Sequence, residues 1–171
     1  MNKILNLGIL ILTVILASCA SSKIEDRYTQ QWRYEIEPVA TGTQGSYLIK
    51  VWSYSKNQTV AAEQAKKNAV HGVVFRGFAG MNGVPRQPPL ATSPNMENEK
   101  KEFFGPFFAN GGRYMKYVSI TNDGSIGAKD RLKVGKEYKI GVIVSVAKEE
   151  LRKDLEEAGI IRPLGAGFAP R

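Results

Sequence analysis

One cysteine and one histidine bound the chemistry open to this 171-residue chain. A zinc site needs several imidazole or thiolate ligands at fixed spacing. Cys19 and His71 alone cannot supply them, and no metal or other cofactor is expected. A Ser-His-Asp hydrolase would have to use His71 as its base. No Gly-x-x-x-x-Gly-Lys-Ser/Thr phosphate loop is present. Glu35 and Glu37 could serve as paired glycosidase carboxylates. They alternate with apolar residues, so the polar face of a strand accounts for them. The turn Asn122-Asp123-Gly124 has too few carboxylates for calcium. The acids of 149–157 interleave with Lys148, Arg152 and Lys153, as on a solvated helix face. No catalytic residue is assigned, and the chain is not expected to be an enzyme.

The residue with the clearest chemistry is Cys19. Lys3 opens a leader whose run Ile4 to Leu16 is apolar except for Asn6, Gly8 and Thr13. Leu16-Ala17-Ser18-Cys19 closes it. A charged start, a short apolar stretch and small residues at a cleavage point make a secretory signal over 1–18. As a helix the run would span about 20 Å, against a hydrocarbon core of roughly 30 Å. That length disfavours a transmembrane anchor.

Leu16-Ala17-Ser18-Cys19 resembles the lipobox of bacterial lipoproteins. The resemblance covers residues 1–19. It implies a diacylglyceryl group on the Cys19 sulfur, cleavage before Cys19, and an N-acyl chain such as palmitate on the new amine. Each buried methylene contributes about 0.8 kcal/mol, so three chains hold a protein firmly at a bilayer. Ala20 stands where an aspartate would signal inner-membrane retention. The expected location is therefore the cell envelope, lipid-anchored at the outer membrane of a Gram-negative bacterium. Using Cys19 for lipid also leaves the exported domain without an internal disulfide.

Three further groups could bind partners. Lys129, Arg131, Lys133, Lys136 and Lys139 form a basic run able to attract an anionic ligand. The alternative is a charged hairpin that blunts a sheet edge. Phe103, Phe104, Phe107 and Phe108 would be a partner patch if exposed and a satellite core if buried. Trp32, Tyr34, Trp52 and Tyr54 could pair across a hairpin or offer rings to a glycan. The expected partners are the membrane, through lipid, and an envelope protein, with a glycan also possible. Nucleic acid is not expected for an exported chain, although a formal charge of +8 would permit it.

The elements that must position these groups follow from periodicity. Removing residues 1–18 from 171 leaves 153, enough for one core. Residues 19–30 are polar and read as a tether. A single domain is expected over 31–162, with a tail over 163–171. Trp32 to Glu37 alternates as a strand ended by Pro38, and Ser46 to Tyr54 is a second strand. Thr59 to Phe75 is the clearest helix. Ala61, Ala65, Ala69 and Val73 share one of its arcs; Gln64, Lys67 and His71 lie opposite, and His71 is expected to face solvent. Prolines and glycines make 76–112 an irregular insertion, with a short helix between Asn98 and Asn110 broken near Pro106. Tyr114 to Thr121 and Tyr138 to Val146 are strands, and Ala147 to Ala158 is a helix ended by Gly159.

The expected fold class is α+β. A four-stranded, mainly antiparallel sheet in ββαββα order would carry both helices on one face, with a long loop between the first helix and third strand. The strand Ile49 to Trp52 followed by the alanine-rich Ala61 to Ala69 resembles a module of envelope lipoproteins and of the amino-terminal domain of flagellar assembly protein T. This covers about a third of the chain. It implies envelope attachment or assembly, and no functional residue carries over.

Overall fold

The computed structural model describes residues 32–43, 45–81, 83–121 and 125–164. The signal, Cys19, the tether, the Asn122-Asp123-Gly124 turn and the end of the tail lie outside them. Residues from Tyr34 onward form one compact unit. Met1–Arg33 forms the other, of which Trp32 and Arg33 are described.

Alternation builds the sheet. β1 (Tyr34–Thr41) and β2 (Tyr47–Ser55) pair antiparallel, with Tyr34 opposite Ser53 and Thr41 opposite Tyr47. β2 also pairs with β5 (Glu137–Val146), with Ile49 opposite Val144 and Val51 opposite Val142. All four of those side chains are buried, because every second residue of a strand points to one face. Ile140 and Val146 join that inward row as expected, while Tyr138 stays half-exposed at its end. β3 (Val118–Ile120) and β4 (Arg131–Val134) share the other edge of β5, at opposite ends. The strand order is β1-β2-β5-β3, and every pairing is antiparallel.

The molecule is thus α+β with an antiparallel sheet, carrying one strand more than the sequence suggested. The exposed β4 has no buried apolar row to announce it. Two boundaries also shift. β1 runs through Pro38, which an edge strand tolerates, and its register slips between Pro38 and Ala40. The first half of the expected third strand is instead a 3₁₀ turn, Arg113–Tyr117.

α1 (Gln58–Phe75) starts at Asn57, whose side chain accepts from the Thr59 N–H. Ala61, Ala65, Ala69 and Val73 are buried, and α1 packs on β2 and β5. The approach is close: a Cβ on Gly72 would collide with Ile36 Cδ1.

The opposite face of α1 is not solvated. Gln64, Lys67 and His71 are all buried. The reason is the 76–112 segment, which is folded over that face. Residues 78–87 fold back on themselves through Phe78–Gln87 and Met81–Val84 bridges, with Gly83 at φ +78°. Leu90 and Ala91 then donate N–H bonds to the Val73 and Val74 carbonyls, which end the helix without intrahelical partners. α2 (Met96–Glu99) and α3 (Lys101–Phe107) follow. The break between them falls at Lys100, not at Pro106, which sits in the last turn of α3.

α4 (Lys148–Glu157) buries Leu151 and Leu155. It closes as expected: Gly159 adopts φ +65°, its N–H bonds the Glu156 carbonyl, and the Ile160 N–H bonds that of Leu155.

Candidate functional site

β4 and the turn beside it gather the basic run. Val134 and Glu137 close a two-residue turn of Gly135 and Lys136, with Gly135 at φ +61°. That positive φ suits a tight hairpin. Lys129 lies in the 3₁₀ turn Ala128–Asp130 just before the strand. Lys129, Arg131, Lys133 and Lys136 are exposed, and among the described residues none forms an ion pair. Leu132 and Val134 alternate with these cations and are 45% and 50% exposed.

Lys139 does not belong to this patch. It is half-buried on β5, 2.7 Å from Glu35 Oε2, and its ammonium stands 5.1 Å from the Trp52 ring. The Tyr54 hydroxyl donates to Glu35 Oε1 at 2.6 Å. Hydrogen bonds from Lys139 and Tyr54 hold the Glu35 carboxyl below its usual range, and the Glu35 bond raises Lys139. This cluster is a closed ion pair across three strands.

The four aromatics of the first hairpin do not form one platform. Tyr34 is opposite Ser53 and points toward α1. Trp52 belongs to the other face, opposite Gly141. Its ring is only 8% exposed, with Lys50 and Lys139 both over it. A Cβ on Gly141 would lie 2.9 Å from the ring, so the missing side chain makes room for the indole. The ring carries no face wide enough for a sugar to stack on.

Three of the four phenylalanines are core. Phe104, Phe107 and Phe108 are 2%, 2% and 6% exposed. Only Phe103 is half-exposed, stacked on Phe107 at 5.6 Å. Phe104 meets Phe75 of α1 at 4.9 Å, and Phe107 stacks on Tyr117 at 6.0 Å. These rings fasten the insertion to α1 and shield its polar row from water.

That row holds the feature least visible in the sequence. The Tyr34 hydroxyl lies 2.6 Å from His71 Nδ1, and His71 Nε2 lies 3.2 Å from Glu97 Oε2. An ionised carboxylate only accepts, so the imidazole carries its proton on Nε2 and accepts the phenol proton at Nδ1. Burial holds His71 below the ordinary imidazole range, partly countered by Glu97 and reinforced by Arg76. Burial likewise makes Tyr34 harder to ionise. The Arg76 guanidinium sits 4.3 Å from the Tyr34 ring. The chain joins β1, α1 and α2. Both imidazole nitrogens are occupied within it, and its phenol holds its proton more tightly than usual. The two bonds link the three elements to one another. An alignment of Tyr34 with His71 requires the tertiary fold; no spacing in the sequence signals it.

A shallow groove of about 530 Å³ runs along the insertion between Arg76, Phe78, Arg86 and Pro88. Among the described residues no group of three or more His, Cys, Asp or Glu is placed to hold a metal ion. No described helix is long and apolar enough to cross a membrane. No protein-family model, curated protein or solved structure matches the chain.

Proposed function

We propose that this chain is a non-catalytic lipoprotein of the bacterial cell envelope, lipid-anchored at the outer membrane, serving as an assembly or accessory subunit. The observation that carries the reading is Cys19: the only thiol of the chain, set directly after Leu16-Ala17-Ser18 at the end of a short apolar run. Diacylglycerol and an N-acyl chain on Cys19 account for both the residue and the leader. The compact unit from Tyr34 onward supports it, because its one histidine is buried and hydrogen-bonded at both ring nitrogens.

Crosslinking in native membranes tests the subunit role. A single envelope protein recovered with the chain is the expected result. A chain that stays solitary at every crosslinker length contradicts it. The second reading is a module that binds an envelope glycan or another anionic ligand. Its support is the cluster Lys129, Arg131, Lys133 and Lys136, exposed on one edge. Saturable, salt-sensitive binding of an acidic envelope glycan would favour it over the first.

A further inference from the structure

We infer that the β4–β5 hairpin is a membrane contact: its cations meet anionic phospholipid headgroups while Leu132 and Val134 enter the boundary between headgroups and acyl chains. This deepens the lipid-anchor reading, which supplies proximity to a bilayer, but the contact itself needs no lipid on Cys19.

The charge pattern comes first. Lys50, Lys66, Lys116, Lys139 and Arg152 each hold a carboxylate. Lys129, Arg131, Lys133 and Lys136 hold none among the described residues, although they crowd into eight positions. Arg131 and Lys133, two positions apart on one strand, stand about 7 Å apart at roughly 3.3 Å per residue. At moderate salt that is inside one Debye length, so the two act as one field, with Lys129 before the strand and Lys136 in the turn after it. Such a cluster attracts an anionic surface.

The aliphatic pair selects the surface. Single exposed aliphatic side chains are ordinary. Here two occur at i and i+2, so Leu132 and Val134 share one face of the strand, with the cations on the other face and at both ends. An acidic polymer in water would use the cations and leave both aliphatic groups hydrated. A bilayer interface takes both, because long basic side chains reach sideways to headgroups while apolar groups sink past them. A second copy of the chain is opposed by charge. Pairing two β4 edges would set Arg131 and Lys133 against the same cations of the other strand.

Geometry permits the approach. Among the described residues β4 pairs with β5 alone, so its outer edge is open to them, and the Gly135-Lys136 turn ends the hairpin. Thirteen residues lie between Cys19 and Arg33. A chain of about that length spans at most roughly 45 Å even when fully extended, so a lipid on Cys19 would keep the unit near its bilayer.

Vesicle co-sedimentation tests the contact. Residues from Tyr34 onward hold their own core, so a chain beginning at Ala20 retains the fold without a lipid. It is mixed with vesicles of phosphatidylcholine, alone or with phosphatidylglycerol. Binding is expected only with phosphatidylglycerol, weakening as salt rises. Each of Arg131→Gln and Lys133→Gln should weaken it about fivefold. Leu132→Ser with Val134→Ser should also weaken binding while leaving its salt dependence unchanged. All four residues are exposed, and unchanged circular dichroism establishes that each variant is folded. Equal binding to both vesicle types overturns the inference. So does retention on an acidic polysaccharide with none on vesicles. Lipid labelling of the full precursor separates this result from the anchor: labelling without vesicle binding removes the hairpin contact, and vesicle binding without labelling removes the anchor alone.

Discussion

The Tyr34 hydroxyl and the Nδ1 of His71 meet across 2.6 Å, thirty-seven residues apart in sequence. The bond ties the first strand to the far face of the central helix. Glu97 then extends it into the insertion. One chain of polar groups, buried at Tyr34 and His71 and half-exposed at Glu97, therefore joins three elements.

Removing the phenol oxygen tests that tie. Tyr34→Phe keeps the ring and strands Nδ1 in an apolar setting. A buried acceptor without a partner costs about 1–3 kcal/mol. Urea unfolding should show a loss of that size. No change would mean that the bond contributes nothing to the fold.

The same chain sets a pH dependence. The folded His71 sits below its unfolded value near 6.5 because burial disfavours the charged ring. The unfolded chain therefore takes up a proton first. Stability is fully present above pH about 6.5 and falls below it, by up to roughly 1.4 kcal/mol per pH unit for one proton. Glu35 and Asp154 have lowered values, so their contributions fade only below their ordinary 4.5 and 3.8. A thermal midpoint that drops between pH 6.5 and 4.5, and does so far less in His71→Gln, is the expected result. Identical profiles for both proteins would contradict it.

The phenylalanine quartet should divide in two. Phe104→Ala empties a site that is 2% exposed and should cost about 3–5 kcal/mol. Phe103→Ala, at a half-exposed ring, should cost less than half as much. Equal losses in chemical denaturation would place Phe103 in the core as well.

Gly141 is the seat of the Trp52 indole. Gly141→Ala puts a methyl group 2.9 Å from the ring and should destabilise by about 1–3 kcal/mol through overpacking. Near-ultraviolet circular dichroism should change with it, since the indole must tilt. An unaltered spectrum would show that the ring does not rest there.

How much of this was legible beforehand depends on distance along the chain. α1 and β5 each begin one residue from where periodicity puts them, because capping, small-residue spacing and alternation are local signals. The Gly159 cap was equally local. β4 was visible only as charge, since a fully exposed edge strand needs no apolar row. The burial of His71, beside Gln64 and Lys67, escapes periodicity for a different reason. Polar residues on one arc of a helix normally mark solvent, but here a second layer folds back and supplies partners from residues 97 and 110. The prolines and glycines of 76–112 mark that layer as irregular, and the phenylalanines are its apolar weight. Neither reveals which face of α1 the layer would cover. The basic run divided because strand register, set by pairing across the sheet, turned Lys139 toward Glu35 and left the other four outside.

The central claim is that Cys19 carries lipid. Metabolic labelling of the full precursor with a clickable palmitate analogue measures it directly, comparing the natural chain with Cys19→Ala. Label and membrane retention in the natural chain, with both lost in the variant, is the result the account predicts. Equal labelling of the two chains, or none in either while the leader is still cleaved, would contradict it.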